Sequence, residues 1–167
     1  MSKENIFGKE GIKKLKALAE EIDTCMFCTG LSSRPIEVSP MTLQEVDDEG
    51  DFWFIGSKDS EKYRNLMEND AVQLLYSDSY NYRYLSVYGS ADMVEDQSRV
   101  DKYWSVIMEG WFEKGKKDPK IILIRVKPTD IYYWDTKDMK MVSFAKILWT
   151  AITGNPNDTG RQGSIEI

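Results

Sequence analysis

The sequence predicts a mainly β protein of the α+β class, in which an antiparallel sheet of six to seven strands curls into a barrel with peripheral helices. Apolar and aromatic segments follow one another in hairpin-like succession instead of alternating with helices. The chain has 167 residues, 41% of them hydrophobic, which suffices for one core. We therefore expect a single domain over residues 1–154 and a loose polar tail over residues 155–167.

Four segments have the apolar period of three to four residues that is typical of amphipathic helices. The predicted helices are Gly8–Ile22, Ser60–Glu68, Gln97–Trp111 and Met141–Thr153. In the third of these we expect most of the apolar stripe to pack in the core. Gly154 follows the last helix and is predicted to end it.

Seven segments rich in apolar and aromatic residues are predicted to be strands. They are Thr24–Leu31, Ile36–Val46, Phe52–Ile55, Ala71–Ser77, Tyr84–Val94, Ile121–Val126 and Ile131–Trp134. Pro40 has no N–H to donate to a ladder, so the second strand should be broken or bulged there. Gly89, in the middle of a long strand, predicts a bulge or bend.

Charge and residue usage exclude several classes of function. The net charge of −6 disfavours binding to nucleic acid or to an anionic membrane. No apolar run is long enough to span a bilayer, and the first residues lack a signal-peptide core, so we expect a cytoplasmic protein. The chain contains no histidine, which excludes imidazole catalysis and His-ligated metals, and we expect no metal site.

Cys25 and Cys28 have the spacing of a thioredoxin-type pair. Both lie in a predicted strand, where residues three apart point to opposite faces. They would then neither form a disulfide nor share a metal, and no second cysteine pair completes a zinc site. We interpret both as buried structural cysteines.

The segment at residues 52–62 predicts an anion site. An aromatic strand runs into a turn containing Ser57 and Lys58, and then into the start of a helix. Free backbone N–H groups and the helix dipole favour an anion there, and lysine and serine side chains would add donors. The structural alternative is an ordinary strand-turn-helix corner capped by Asp59 or Ser60.

Trp111 and Phe112 come at the end of the third predicted helix, where the chain enters a charged loop. They could fasten this loop to the core, or they could form an aromatic wall beside a planar ligand. The sequence slightly favours the first interpretation and leaves the second open.

Several short motifs together resemble the pyridoxamine-5′-phosphate-oxidase-like flavoproteins, and among them the general stress protein subgroup. In chain order, the motifs are Pro40-Met41-Thr42-Leu43, Phe52-Trp53-Phe54, Ser57-Lys58-Asp59-Ser60-Glu61-Lys62, Asn65-Leu66, Tyr84 to Ala91, Trp104, Trp111-Phe112, Gly115, Asp118-Pro119, Val126-Lys127-Pro128 and Tyr133-Trp134-Asp135. Each motif is short, and their order and spacing over about Ala17 to Gly154 carry the likeness.

The resemblance implies a split β-barrel that forms a homodimer, with FMN, or FAD in its place, at two symmetric sites between the subunits. The implied flavin contacts are Pro40, Met41 and Thr42 along the ring, Ile55 and Gly56 as main chain, Ser57, Lys58 and Lys62 at the phosphate, and Trp111 and Phe112 as a wall from the partner subunit.

The chain departs from the family pattern at Ser39, Gly56 and Glu61, where relatives often carry Arg, Thr and Arg. Each change removes a phosphate donor or a cation, which would weaken flavin binding. The absence of histidine disfavours the vitamin B6 reaction, because true pyridoxamine-phosphate oxidases have a histidine in their substrate motif.

The expected function is therefore an FMN-dependent oxidoreductase of unknown substrate and redox partner, with a role in stress. No side chain is predicted as a catalytic acid or base, since the cofactor would carry the electrons. The alternative is a non-catalytic split-barrel dimer that stores or senses flavin, or that has lost flavin binding.

Overall fold

The computed structural model of the chain describes residues 2–135 and 161–167. Its helices are α1 (Gly8–Ile22), α2 (Glu61–Glu68) and α3 (Gln97–Tyr103), and two short 3-10 helices follow at Val106–Gly110 and Gly115–Lys117. Its strands are β1 (Ser2–Lys3), β2 (Ile6–Phe7), β3 (Thr24–Thr29), β4 (Glu37–Thr42), β5 (Glu45–Val46), β6 (Phe52–Ser57), β7 (Ala71–Asp78), β8 (Arg83–Val94), β9 (Ile121–Asp135) and β10 (Arg161–Glu166). The helix predicted over Met141–Thr153 lies outside the described residues.

The strands form one sheet with the order β1-β10-β9-β8-β7-β3-β4. One edge of the long strand β9 pairs with two strands in turn. Strand β6 pairs with the first half of β9, and β10 pairs with its second half. Over the described residues the ladder does not close on itself, because β4 pairs only with β3, and β6 only with β5 and β9. The predicted fold class, mainly β with peripheral helices, is confirmed.

The sheet is mixed, not purely antiparallel as predicted. Strands β1 and β2 run parallel to β10, while the pairings among the longer strands are antiparallel. Parallel neighbours need a long connection, and here nearly the whole chain connects β1 and β2 to β10. Among the described strands, parallel pairing occurs only where β1 and β2 meet β10.

Strand β10 lies within the segment that the sequence predicts to be a loose tail. The prediction is wrong for Arg161–Glu166, because one buried side chain, Ile165, ties this polar strand to the core. Gly163 permits the close approach of the N-terminal segment: a Cβ there would lie 1.9 Å from the carbonyl oxygen of Glu4. Residues 155–160 lie outside the described residues.

Strand β9 is continuous and joins the two strands predicted over Ile121–Val126 and Ile131–Trp134. The pairing of β8 with β9 shifts by one position between Tyr88 and Gly89, because Thr129 of β9 is an extra residue there. The bulge or bend predicted at Gly89 is thus found as an irregularity of this ladder, with the extra residue on β9. The break predicted at Pro40 is absent. Strand β4 runs through Pro40 because it is an edge strand, where a missing N–H costs nothing on the unpaired side.

The third predicted helix ends early. Helix α3 stops at Tyr103, Trp104 takes an extended backbone conformation, and a 3-10 helix starts at Val106. Val100 and Tyr103 are buried in the core as predicted, but Ile107 is 80% exposed. The apolar period continues past the helix because Trp104 and Met108 still pack against buried core residues, whereas Ile107 and Trp111 are exposed beside a cavity.

Two apolar clusters hold the fold. The larger one packs α1 and α2 on the sheet, and its largest members include Leu15, Phe27, Phe54, Leu74 and Tyr76. The smaller one packs α3 and the segment after it on β6 and β9, and consists of Trp53, Val100, Tyr103, Phe112, Ile121 and Leu123. None of the helices in the described residues has the length and apolar character needed to cross a membrane.

Cys25 and Cys28 are buried and free, which confirms their interpretation as structural cysteines. Cys25 belongs to the larger cluster, and burial raises the pKa of its thiol to about 12. A thiol with that pKa stays protonated near neutral pH and is a poor nucleophile.

We expect the substitution Gly89→Ala to destabilise the fold by about 1–3 kcal/mol, because the new methyl group would overlap main chain that cannot move freely. A Cβ at Gly89 would lie 2.1 Å from the carbonyl oxygen of Lys127. Gly110→Ala is the matched control, since a Cβ there meets no atom within 4 Å. Urea unfolding measures both, and equal stabilities of the two variants would contradict the close contact between β8 and β9.

Candidate functional site

A cavity of about 450 Å³ is formed by three segments that are distant in sequence. The first is the end of β4 with the link that follows, the second is the end of β6 with the turn into α2, and the third is the segment between α3 and Gly115. The lining residues are Pro40, Met41, Thr42, Leu43, Gln44, Ile55, Gly56, Ser57, Ser60, Ser105, Ile107, Met108, Trp111 and Phe112. Its size falls in the range of cofactor and small-molecule pockets.

All the predicted flavin contacts except Lys58 and Lys62 line this cavity. The structure thus brings together residues that are up to 72 positions apart, from Pro40 to Phe112. Ser60, whose hydroxyl the sequence places in the anion site, also lines the cavity, and the structure adds five lining residues that sequence reasoning missed: Leu43, Gln44, Ser105, Ile107 and Met108. Ile107 and Met108 belong to the apolar stripe of the third predicted helix. Periodicity alone does not distinguish side chains that pack in a core from side chains that line a cavity.

Trp111 and Phe112 reach the cavity from the same chain, so a partner subunit is not needed to bring them there. Phe112 is buried and its ring centroid lies 6.1 Å from that of Trp104, which fastens the segment to the smaller cluster. Trp111 is 80% exposed. Phe112 therefore fastens the loop to the core, as the first interpretation of the pair predicts, while the role of the exposed Trp111 as a wall beside a planar ligand stays a prediction.

The turn between β6 and α2 places hydroxyl groups and helix amides at one edge of the cavity. Ser60 is the N-cap of α2: its Oγ accepts a hydrogen bond from the Tyr63 N–H at 3.1 Å and donates one to the Ser57 carbonyl at 2.7 Å. Ser57 Oγ accepts from the Asp59 N–H at 3.2 Å, and its own proton has no acceptor among the described residues. The other first-turn N–H groups of α2, those of Glu61 and Lys62, have no acceptor within the helix, so this edge suits an anion.

Lys58 lies outside the cavity, although its sequence neighbour Ser57 lines it. Its ammonium group forms an ion pair with Glu95, and this hydrogen bond raises the pKa of Lys58. The side chain lines a second cavity instead.

Lys62 is 7% exposed and does not line the cavity either. Its Nζ lies 5.6 Å from the ring centroid of Phe27, and it makes no ion pair with any residue in the described part of the chain. Burial lowers the pKa of Lys62, with Glu37 acting in the opposite direction. A buried ammonium without a carboxylate partner is energetically costly, and such a group gains most from an anionic ligand.

The three departures from the family pattern have different structural settings. The Oγ of Ser39 is buried and has no hydrogen-bond partner among the described residues. A Cβ at Gly56 would lie 3.1 Å from Ile124 Cδ1, so this position offers main chain to the cavity. Glu61 is paired with Arg64 on the exposed side of α2, which offsets part of its negative charge.

Among the described residues, no charged or otherwise titratable side chain lines the cavity. The lining is apolar apart from hydroxyl groups, one amide side chain and main chain. Such a cavity can bind a flat, mainly apolar group and exclude water around it, but it supplies no acid or base of its own.

Comparison with known proteins agrees with this architecture. The model of the family described as "Pyridoxamine 5'-phosphate oxidase like" matches residues 10–158. General stress protein 26 of Bacillus subtilis is 29% identical over 90 residues, which cover 52% of this chain and 64% of that protein, less than two thirds of its length.

Two solved structures extend the likeness. A general stress protein 26 of Jannaschia sp. CCS1 superposes with a TM-score of 0.74 at 23% identity, covering 95% of this chain and 96% of that one, and shows the fold alone. A general stress FMN/FAD binding protein of Xanthomonas citri is 28% identical with a TM-score of 0.64, covering 77% and 90% of the two chains. The predicted resemblance is confirmed, and the chain belongs to the pyridoxamine 5'-phosphate oxidase like family.

Proposed function

We propose that the chain is a cytoplasmic flavin-binding protein that holds FMN in the cavity between β4, β6 and the segment after α3. The observation that carries this proposal is the convergence of residues 40–42, 55–57 and 111–112 on one cavity without charged side chains. The isoalloxazine ring of a flavin is planar and largely apolar, so it would lie along the main chain of β4 and β6 beneath the exposed indole of Trp111.

The phosphate group would lie at the Ser57 and Ser60 edge. Ser57 Oγ and the N–H groups of Glu61 and Lys62 in the first turn of α2 would donate to it, and the helix dipole would favour its charge. The ammonium of Lys62 belongs to the same helical turn, and it would find there the anionic partner that it lacks among the described residues. The Xanthomonas citri protein, which binds FMN and FAD, supports a flavin as the ligand.

A bound flavin would supply electron transfer, and the chain would bind it, orient it and exclude water. We propose an oxidoreductase of unknown substrate, with a role in stress that rests on the names of the relatives. The second candidate is a dimer that stores or senses flavin. It is favoured by the described lining residues, none of which has a titratable side chain, because such residues offer a substrate no proton donor or acceptor with a suitable pKa.

Visible absorption of the purified protein separates these candidates. Flavin bands that are bleached by a nicotinamide donor and restored by an electron acceptor support the oxidoreductase. Flavin bands that no physiological donor bleaches support storage or sensing. A colourless protein whose spectrum does not respond to added FMN or FAD would contradict both forms of the proposal.

We further propose that the protein is a homodimer and that the exposed face of β4, β3, β7 and β8 forms its interface. Met26 lies directly opposite Leu75, and both are 45% exposed. Val38 and Tyr88 extend this apolar face on the two outer strands. Pro40 lies on the same face opposite Met26 and also lines the cavity, so the interface would reach the flavin site.

The double substitution Met26→Glu/Leu75→Glu is expected to weaken the dimer at least about 100-fold, because four charges would face each other across an apolar interface. Light scattering should then report a mass near 19.3 kDa in place of twice that value. Met67→Glu is the control, since Met67 is exposed on α2 and lies outside this face. A wild-type protein that is monomeric at high concentration would refute the proposed interface.

A further inference from the structure

Three large apolar side chains on the segment after α3 are almost fully exposed. Val106 is 81% exposed, and Ile107 and Trp111 are each 80% exposed. Ile107 and Trp111 line the first cavity, the one proposed to hold FMN, whereas Val106 lies outside its lining. Neighbouring exposed apolar side chains beside a cavity are typical of a binding surface. We call residues 105–111 the rim segment.

The rim segment is held in place from its other side. Trp104 and Met108 pack against the smaller apolar cluster, and Phe112 belongs to that cluster. The ring centroid of Phe112 lies 6.1 Å from that of Trp104. The backbone of the segment is therefore fixed by contacts with the core. Ile107 and Trp111 are left at the open side of the cavity, where an apolar ligand can cover them.

The charges around the rim segment disfavour an anionic substrate. No lining side chain among the described residues is charged, so a charged group that enters here would lose hydration without gaining a counterion. Glu109 and Glu113 flank Trp111 in sequence, and neither forms an ion pair within the described part of the chain. The buried ammonium of Lys62 is assigned to the FMN phosphate. The substrate is therefore expected to be neutral.

The reaction at this site must also proceed without a proton donor from the described lining, which has no titratable side chain. Reduction of a ketone or of an activated alkene leaves an alkoxide or a carbanion, and both need an acid. Reduction of a quinone leaves phenol-like oxygen atoms with a pKa of about 10, as for tyrosine, so water can supply their protons. A quinone is also flat and largely apolar, which suits contact with an indole face.

We propose that the substrate of the flavin site is a neutral quinone, which enters over the rim segment and lies against Ile107 and the exposed indole of Trp111. This inference rests on the proposed flavin function. A bound flavin supplies the electrons: reduced flavin and quinone give oxidised flavin and hydroquinone, with transfer of two electrons and two protons. The rim segment contributes apolar contact and excludes charged competitors.

Equilibrium dialysis of two quinones against the FMN-saturated protein tests the substrate class without turnover. The probes are 1,4-naphthoquinone and 1,4-naphthoquinone-2-sulfonate, which share a ring system and differ by one negative charge. The wild type should bind the neutral probe at least about tenfold more tightly than the sulfonate. Both cysteines of the chain are buried, so neither probe meets an exposed thiol.

Two lysine variants test whether the probes bind at the rim segment. Ile107→Lys places an ammonium in the cavity lining, and Val106→Lys places the same group on the neighbouring exposed residue, outside the lining. Ile107→Lys should weaken binding of the neutral probe and strengthen binding of the sulfonate, so that the ratio of their dissociation constants changes at least about tenfold. In Val106→Lys, the matched control, the ratio should stay within about threefold of wild type.

The outcomes separate the substrate class from the flavin site itself. A neutral probe that binds the FMN-loaded wild type no more tightly than the sulfonate, or that does not bind, would overturn the quinone assignment and leave the flavin proposal intact. Equal changes of the ratio in the two lysine variants would overturn it as well, because the probes would then bind away from Ile107. Failure of FMN itself to bind, seen by fluorescence titration before dialysis, would overturn the proposed function and this inference with it.

Discussion

The substitution Ser105→Trp is expected to lower the affinity for FMN at least about 100-fold, a loss of about 2.7 kcal/mol. Ser105 is exposed at the start of the segment after α3, lines the cavity, and makes no side-chain hydrogen bond with the described residues. An indole at this position would occupy the space assigned to the flavin. Since the site is at the surface, the stability of the flavin-free protein should stay nearly unchanged.

Glu109→Trp provides the control for this experiment. Glu109 is exposed on the same segment but does not line the cavity, so an indole there adds the same bulk outside the site. Fluorescence titration with FMN measures the two dissociation constants, and thermal unfolding checks the fold. Equal FMN affinity of Ser105→Trp and wild type would show that flavin binds elsewhere.

The substitution Lys62→Met is expected to move stability and affinity in opposite directions. It removes a buried ammonium that has no ion pair among the described residues, which should stabilise the flavin-free protein by about 1–3 kcal/mol. It also removes a charge-assisted contact to the FMN phosphate, worth about 1.5–3 kcal/mol, so FMN affinity should fall roughly 10- to 150-fold. Riboflavin has no phosphate, and its affinity should not change.

The pH dependence of stability gives a second readout for Lys62. Burial lowers the pKa of this group in the folded state, so the unfolded chain holds the proton more tightly. The energetic cost of burying the Lys62 ammonium is fully present below the pKa of Lys62 in the folded protein. It fades as the pH rises from that pKa towards the ordinary pKa of lysine. The stability difference between Lys62→Met and wild type should therefore shrink as the pH rises.

Lys13→Met, on the exposed side of α1, should change neither stability nor FMN affinity. An FMN dissociation constant for Lys62→Met equal to that of wild type would show that Lys62 does not meet the phosphate. A variant that is less stable than wild type at neutral pH would show that the ammonium has a stabilising partner.

The sequence predicts the central strands of the sheet better than the strand β10 near the C-terminus. Strand β6 begins at Phe52 and ends at Ser57, close to the bounds that the sequence predicts. Strand β8 forms around Gly89, and its pairing with β9 is irregular there, as the glycine predicts. Strand β10 was missed because its hold on the core is a single buried isoleucine and a backbone pairing with distant strands. Local composition carries no trace of such long-range pairing, so a polar segment with glycine was interpreted as a loose tail.

For the candidate site, the order and spacing of the motifs predict which segments form the cavity. They do not predict the direction in which charged side chains point. Residues that contribute main chain or lie in strands, such as Met41 and Gly56, have their direction fixed by the ladder, and they line the cavity as predicted. Lysines have long flexible side chains whose direction depends on tertiary partners. Lys58 turns to Glu95, which is 37 positions away, and Lys62 turns into the core beside Phe27.

A crystal structure of the protein with FMN would show whether the first cavity holds the flavin. We expect the ring between residues 40–42 and Trp111, with the phosphate at Ser57 and the first turn of α2. Lys62 should then lie closer to the phosphate than to Phe27. Flavin density at any other place, or an empty first cavity at saturating FMN, would show that this cavity is not the flavin site.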